Sequence, residues 1–175
     1  MGDNEKKTIY RKLRNEKLQS DLLDWWKKLQ INKGNRAQLR RCTTPAEAAM
    51  HAETHALMKI LPWVSYEAVA TICGTLAHVK TNGTGTFGQK LAMQENGKVL
   101  FSELRFRQFL SCKEWNEFYT ALRRAITMLN GNADTLAVID VILHWDEEYK
   151  GTKYSEPSKS FKFTLSKDYY SQILK

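Results

Sequence analysis

The chain has 175 residues, 42% hydrophobic and 26% charged, a length that suits one ordinary domain or two small helical lobes sharing a core, with no need for disulfides or metal to fold. Its 27 Lys and Arg outnumber 19 Asp and Glu, for a net charge of +8 and a pI near 9.4, a balance that favours a polyanionic or acidic partner. No apolar run approaches the ~20 residues that span a bilayer, so no membrane role is expected.

The opening MGDNEKKTIYRK lacks the apolar core of a secretory signal. Lys6 stands where a myristoylation site needs Ser or Thr, which removes that reading of Gly2. Ile9 to Lys17 is highly charged and reads as a fraying extension of the first helix. Leu18, Leu22, Trp25 and Leu29 recur at i, i+4, i+7 and i+11, so 18–31 is predicted to be an amphipathic helix. Trp25 and Trp26 are adjacent, and one of the two is expected to stay partly exposed at an interface. A short basic helix is predicted over 34–41. Thr44-Pro45-Ala46-Glu47 combines a cap, a first-turn proline and a capping-box glutamate, predicting one helix from Pro45 to about Lys59, closed by Pro62. Ser65 caps the next, which carries Val69, Ile72, Leu76 and Val79.

Thr81 to Gly88 (TNGTGTFG) reads as a mobile loop, 88–95 as a short helix and Asn96-Gly97 as a turn. Ser102 opens a helix over 103–110. Ser111 to Glu114 (SCKE) reads as a second capping box for a long helix with Trp115, Phe118, Tyr119, Leu122, Ile126 and Leu129 on one face, ended by Asn130-Gly131-Asn132. Residues 135–149 form a helix apolar nearly all round, of the sort that sits centrally in a bundle. After a polar loop at 151–160, the alternation of Phe161, Phe163 and Leu165 with Lys162 and Thr164 predicts a short extended segment, and Ser166 caps a last helix through Leu174. The sum is all-α: a helical bundle, read as an N-terminal lobe over 1–97 and a C-terminal lobe over 98–175, or as one compact domain.

Charge is segregated along this scaffold. Lys27, Lys28, Lys33, Arg36, Arg40 and Arg41 occupy 27–41 without an acid. Arg105, Arg107, Arg123 and Arg124 form a second cluster on two consecutive helices. Residues 134–149 carry Asp134, Asp140, Asp146, Glu147 and Glu148 and no cation. Arginine suits phosphate because its planar fork offers paired donors and stays ionised. Arg105 and Arg107, two apart, do not share a helix face, so one is free to bind phosphate while the other pairs with an acid. Arg40 and Arg123 serve equally well as buried partners of the acidic helix. Trp115, Phe118 and Tyr119 sit on a core stripe, and no aromatic or zinc-finger motif is present, which favours backbone gripping over base reading.

Catalytic signals are weak. Glu47, His51 and His55 fall on one predicted helix at i, i+4 and i+8, but H-A-E-T-H is not the H-E-x-x-H of zinc hydrolases; no metal, cofactor or catalytic residue is expected. TNGTGTFGQK lacks the G-x-x-x-x-G-K-[ST] of a phosphate loop. Cys42, Cys73 and Cys112 are odd in number and far apart, the pattern of free thiols in a reducing cytoplasm.

Taken in order, several segments resemble the CasB family, the small subunit of the type I-E CRISPR Cascade complex. They are Trp26-x-x-Leu29, then Gly34-x-x-Ala37-x-Leu39-Arg40-Arg41; Phe87-Gly88-x-x-Leu91-Ala92, where the family more often has Leu-Gly; Leu104-Arg105-Phe106-Arg107-x-x-Leu110; Leu122-Arg123-Arg124-Ala125; and Trp145 followed by Asp168-Tyr169-Tyr170. The pattern covers about residues 20–170. The resemblance implies an all-helical fold and no catalysis. It implies two copies head to tail in the complex with other Cascade subunits, contacting guide RNA and target DNA and steadying the displaced strand, while a separate nuclease degrades it. Carried onto this chain, the backbone contacts it implies are Arg40, Arg41, Arg105, Arg107, Arg123 and Arg124, with Lys90 and Lys98 as weaker ones. The charged 1–17 and the Lys-rich 150–167 depart from the pattern, and their roles stay open. Three rival readings remain: a helix-turn-helix DNA-binding regulator, a metal enzyme using His51 and His55, and a scaffold docking acidic protein.

Overall fold

The computed structural model describes residues 10–175; Gly2, Lys6, Ile9 and the rest of the opening run lie outside the described residues. The fold is all-α, as the sequence predicts. Ten α-helices follow one another among the described residues: α1 Glu16–Ile31, α2 Lys33–Arg41, α3 Pro45–Ala48, α4 Ala52–Ile60, α5 Tyr66–Leu76, α6 Phe87–Leu91, α7 Glu103–Leu110, α8 Trp115–Met128, α9 Thr135–Tyr149 and α10 Phe161–Ile173. One 3₁₀ turn, Pro157–Lys159, precedes α10. Four two-residue strands complete the order: β1 Thr81–Asn82 pairs in parallel with β4 Asn132–Ala133, and β2 Gln94–Glu95 pairs with β3 Lys98–Val99 across the Asn96-Gly97 turn. The bridge at Thr81 falls in the segment read as a loop, and α6 ends at Leu91 rather than running to 95.

Helices α5 and α9 form the centre. Every residue from Ala68 to Leu76 in α5 and from Thr135 to Asp146 in α9 is buried, so each helix is covered on all sides by neighbours, as its all-round apolar pattern requires. The buried side chains make one contiguous cluster running from Leu13 to Tyr169.

Four expectations are corrected, each for a local reason. Trp25 and Trp26 are both buried at 7% exposure, because α1 packs against α2, α4 and α9 at once. The predicted helix over 45–59 breaks after Ala48: the hydroxyl of Thr54 donates to the Ala48 carbonyl (2.7 Å) and His55 Nε2 lies 3.0 Å from the Ala49 carbonyl. These side chains take the acceptors that a continuing helix would use. Ser111 does not cap α8; it ends α7, and Glu114 stands at the α8 N-cap, with Glu117 accepting from the backbone N–H groups of Lys113 (2.9 Å) and Glu114 (3.3 Å). Residues 161–165 are helical, not extended. Ser160 caps α10 through the Phe163 N–H, and the buried set Phe161, Thr164, Leu165 and Tyr169 has helical spacing that the Phe-Lys-Phe alternation hid.

Gly88 shows how tightly these parts close. A Cβ there would lie 2.8 Å from Asp168 Cβ and 2.8 Å from the Leu165 carbonyl oxygen, so α6 meets α10 backbone to backbone. Gly88→Ala is expected to force the two helices apart, costing about 1–3 kcal/mol, and to lower the thermal midpoint by about 3–10 °C; calorimetry of the variant checks this.

Candidate nucleic-acid interface

The acidic helix comes first, because its partners decide which cations are left unneutralised. Asp134 caps α9 through the Ala137 N–H (3.0 Å) and accepts from the Tyr10 hydroxyl (2.7 Å). Asp140, buried, accepts from the backbone N–H groups of Arg11 (3.1 Å) and Lys12 (2.5 Å), and burial still pushes its carboxyl above the ordinary range. Asp146 takes the Ser65 hydroxyl (2.7 Å) and Lys150 (2.6 Å), Glu147 takes Lys12 (2.5 Å), and Glu148 takes the Phe161 N–H (2.8 Å). The expectation that Arg40 or Arg123 partners this helix is therefore not met. Residues 10–12, Ser65, Lys150 and the Phe161 N–H do so instead.

Arg123 is held by different groups. Its Nε donates to His78 Nε2 (3.2 Å), its Nη2 donates to the Arg40 carbonyl (3.2 Å), and its guanidinium lies 5.2 Å from the Tyr119 ring centroid. Tyr119 is itself fixed: its hydroxyl donates to the Cys42 carbonyl (3.2 Å), and its ring fills the space over Gly74, where a Cβ would come within 2.7 Å of a ring carbon. Arg36 donates to the carbonyls of Ala77 (2.9 Å) and Val79 (3.1 Å) beyond the end of α5. Burial and then the charge of Arg40 pull its pKa down. Burial, followed by Arg123, Arg40 and Arg36, lowers His78 to about 4. His78 thus stays neutral near pH 7 and serves as the acceptor for Arg123. Glu47 is the acid that feels Arg123, and it is held low chiefly by the Thr43 backbone N–H and hydroxyl.

Arg124 is the next residue and is exposed. It borders two connected hollows. One, of about 560 Å³ between α7 and α8, is lined by apolar Phe101, Phe109, Ala121 and Met128 and by polar Arg105, Gln108, Asn116, Arg124 and one carboxylate, Glu117, which is engaged by the backbone N–H groups of Lys113 and Glu114. The other, of about 480 Å³, is lined by His78, Thr120, Arg123, Arg124, Thr127 and Met128. They share Thr120, Arg124 and Met128, so the two adjoin in a channel lined by Arg105, Arg124 and Arg123; Arg40 lines neither hollow and meets Arg123 through its backbone carbonyl. Arg40, Arg105, Arg123 and Arg124 pair with no carboxylate among the described residues.

The remaining sequence-derived residues lie elsewhere. Arg107 pairs with Glu103 (2.6 Å), which also accepts from Tyr170 (2.8 Å), so of Arg105 and Arg107 it is Arg107 that pairs with an acid. Arg41 is exposed at the end of α2. Lys90 on α6 and Lys98 on β3 do not border the channel. Arg36 and His78 were not singled out as site residues. The i, i+4 spacing of Arg36 and Arg40 on one short helix was the available signal, whereas nothing local marks His78. His51 and His55 do not share one helix: His51 is the α4 N-cap, with Nε2 3.4 Å from Cys42 Sγ. Among the described residues no group of three or more His, Cys, Asp and Glu side chains is placed to hold a metal. No helix among the described residues is long and apolar enough to cross a membrane.

A family model described as CRISPR-associated protein Cse2 matches residues 35–170. The chain belongs to this family. Cse2, also called CasB, is a structural component of type I-E Cascade, so the chain is a subunit of a CRISPR Cascade complex. No curated protein and no solved structure matches it. The Cse2 match takes in α7 and α8, which carry Arg105, Arg123 and Arg124, and also Arg40 on α2.

Two outcomes follow for His78. Its folded pKa, about 4, lies below the unfolded value of ~6.5. The unfolded chain therefore binds the extra proton, and this group's contribution to stability is full above pH ~6.5 and is lost as pH falls toward 4. In Arg123→Gln, NMR titration of His78 should show its pKa rising, yet remaining below the ordinary value because burial persists.

Proposed function

We propose that this subunit grips sugar–phosphate backbone along the α7–α8 channel, steadying guide RNA and target DNA, including the displaced strand, within Cascade. The observation that carries this reading is the row of Arg105, Arg124 and Arg123 along two adjoining hollows, with exposed Arg40 tied to Arg123 through its carbonyl, all four without carboxylate partners among the described residues. Guanidinium groups so placed neutralise phosphates and release condensed counterions, lowering the free energy of an opened strand. Arg123, already fixed by His78 and the Arg40 carbonyl, loses little side-chain entropy on contact. Arg105 and Arg124 are exposed and adjust to the strand's path. Arg41, Lys90 and Lys98 add long-range attraction, and Arg107 adds less because Glu103 is beside it. The other Cascade subunits and a second copy of the chain would complete the surface, with strand cleavage left to a separate nuclease.

Single-stranded DNA binding by the purified full chain should give a log affinity against log salt slope near −3, about 0.7 for each of four phosphate contacts. Arg105→Ala with Arg124→Ala should reduce that magnitude by about 1.4, whereas Arg107→Ala should change it less than either single variant. A flat salt response would overturn the reading. Tagging the chain and co-expressing it with its operon neighbours and a guide RNA should recover all of them together.

A further inference from the structure

Residues 10–14, which precede the Cse2 match, meet the Lys-rich 150–167 segment in space; that segment, expected from the sequence to depart from the family pattern, lies within the match. Residues 10–14 lie against α9 and α10, held there by Asp140 and by the pairs Arg11–Asp168 (3.1 Å) and Lys12–Glu147 (2.5 Å). The 3₁₀ turn before α10 is held from the other side, with His144 Nε2 3.0 Å from the Lys159 carbonyl. Between them opens a groove of about 400 Å³ whose walls carry Arg11, Lys12, Arg14, Lys159 and Lys167 and no carboxylate. Arg11, Lys12 and Lys159 have ion-pair partners, Asp168, Glu147 and Glu156, that do not line the groove. Arg14 and Lys167 are exposed and pair with no carboxylate among the described residues. Phe163 also borders the groove and is 50% exposed, on a helix whose buried face is Phe161, Thr164, Leu165 and Tyr169. Tyr154 borders it too, beneath Lys12, whose Nζ lies 5.6 Å from the ring centroid. No residue of this groove borders the α7–α8 channel.

We propose that this groove is a second binding site for single-stranded nucleic acid, with Arg14 and Lys167 on phosphates and Phe163 as a platform for one base. Cations alone fit any polyanion. An exposed aromatic face between cations fits a strand in particular, because every base offers a π-face while its phosphates remain within reach of the charges. An acidic peptide would satisfy the cations and leave the Phe163 ring without a matching group. The site stands on the 10–14 and 150–167 segments, with His144 of α9 between them, and does not require the reading of the channel to hold.

The test uses the full chain carrying Arg105→Ala and Arg124→Ala, so that binding at the channel is weakened. Its probe is a fluorescent thymidine homopolymer of about 20 nucleotides, enough to cover a typical single-strand site, followed by anisotropy over a salt series. Adding Arg14→Glu and Lys167→Glu should lower affinity at least about tenfold and reduce the salt slope by about 1.4, two phosphates at about 0.7 each. Adding Phe163→Ala should lower affinity at least about fivefold with the slope unchanged, since stacking releases no counterions. All three residues are exposed, and matching circular dichroism and thermal midpoints confirm that the variants fold. Affinity and slope indifferent to the charge reversals overturn the proposal. Indifference to Phe163→Ala, with inorganic polyphosphate bound as tightly as DNA, also overturns it and leaves a general anion patch. If the channel substitutions alone change nothing while the groove substitutions act, the channel reading fails and this one stands.

Discussion

The carboxylates of α9 are all satisfied within the molecule, and the distribution of charge on the surface depends on that. A buried or half-buried carboxylate without donors is strongly unfavourable. Here Asp134, Asp140, Asp146, Glu147 and Glu148 are answered by Tyr10, the backbone of residues 11–12, Ser65, Lys12 and the first turn of α10. The same contacts fasten residues 10–14 and α10 to the central helix. An acidic central helix therefore coexists with two basic surfaces.

Much of the architecture could be read from the chain because long-period signals survive tertiary packing. The stripe through Trp115, Phe118, Tyr119, Leu122 and Ile126, and the all-round apolar run of 136–145, both predict helices that are found with those faces buried. The short-period signal failed, and boundary signals were mixed: Thr44, Ser65 and Ser102 cap where expected, whereas others failed. The alternation at 161–165 was overridden by Ser160 capping and by helical spacing of the buried residues. The single helix over 45–59 was broken by side chains six residues ahead reaching back to its carbonyls. Sequence carries little record of such competition, since Thr54 and His55 are compatible with an unbroken helix.

The candidate site was legible as a set of residue types and only partly as a place. Arg105 and the adjacent Arg123 and Arg124 come together because α7 packs on α8, and Arg40, distant in sequence, is joined to them by the bond from Arg123 to its carbonyl. Which arginine would pair with an acid could be limited by helix periodicity for Arg105 and Arg107, and not at all for Arg40 and Arg123, whose surroundings are set by long-range packing. His78 shows the limit most plainly. Its neutrality arises from burial and from three guanidiniums on two other helices, which no local pattern records.

The fit between Gly74 and Tyr119 reaches beyond the interior. The ring that needs glycine's missing side chain also underlies the Arg123 guanidinium, and its hydroxyl pins the chain just after α2, one turn of which supplies the carbonyl that Arg123 grasps. A residue with no exposed atoms thereby governs where a surface cation points. Drift in the core can retune this face with every outward-facing side chain left unchanged, so homologous subunits with identical surface arginines need not present them alike.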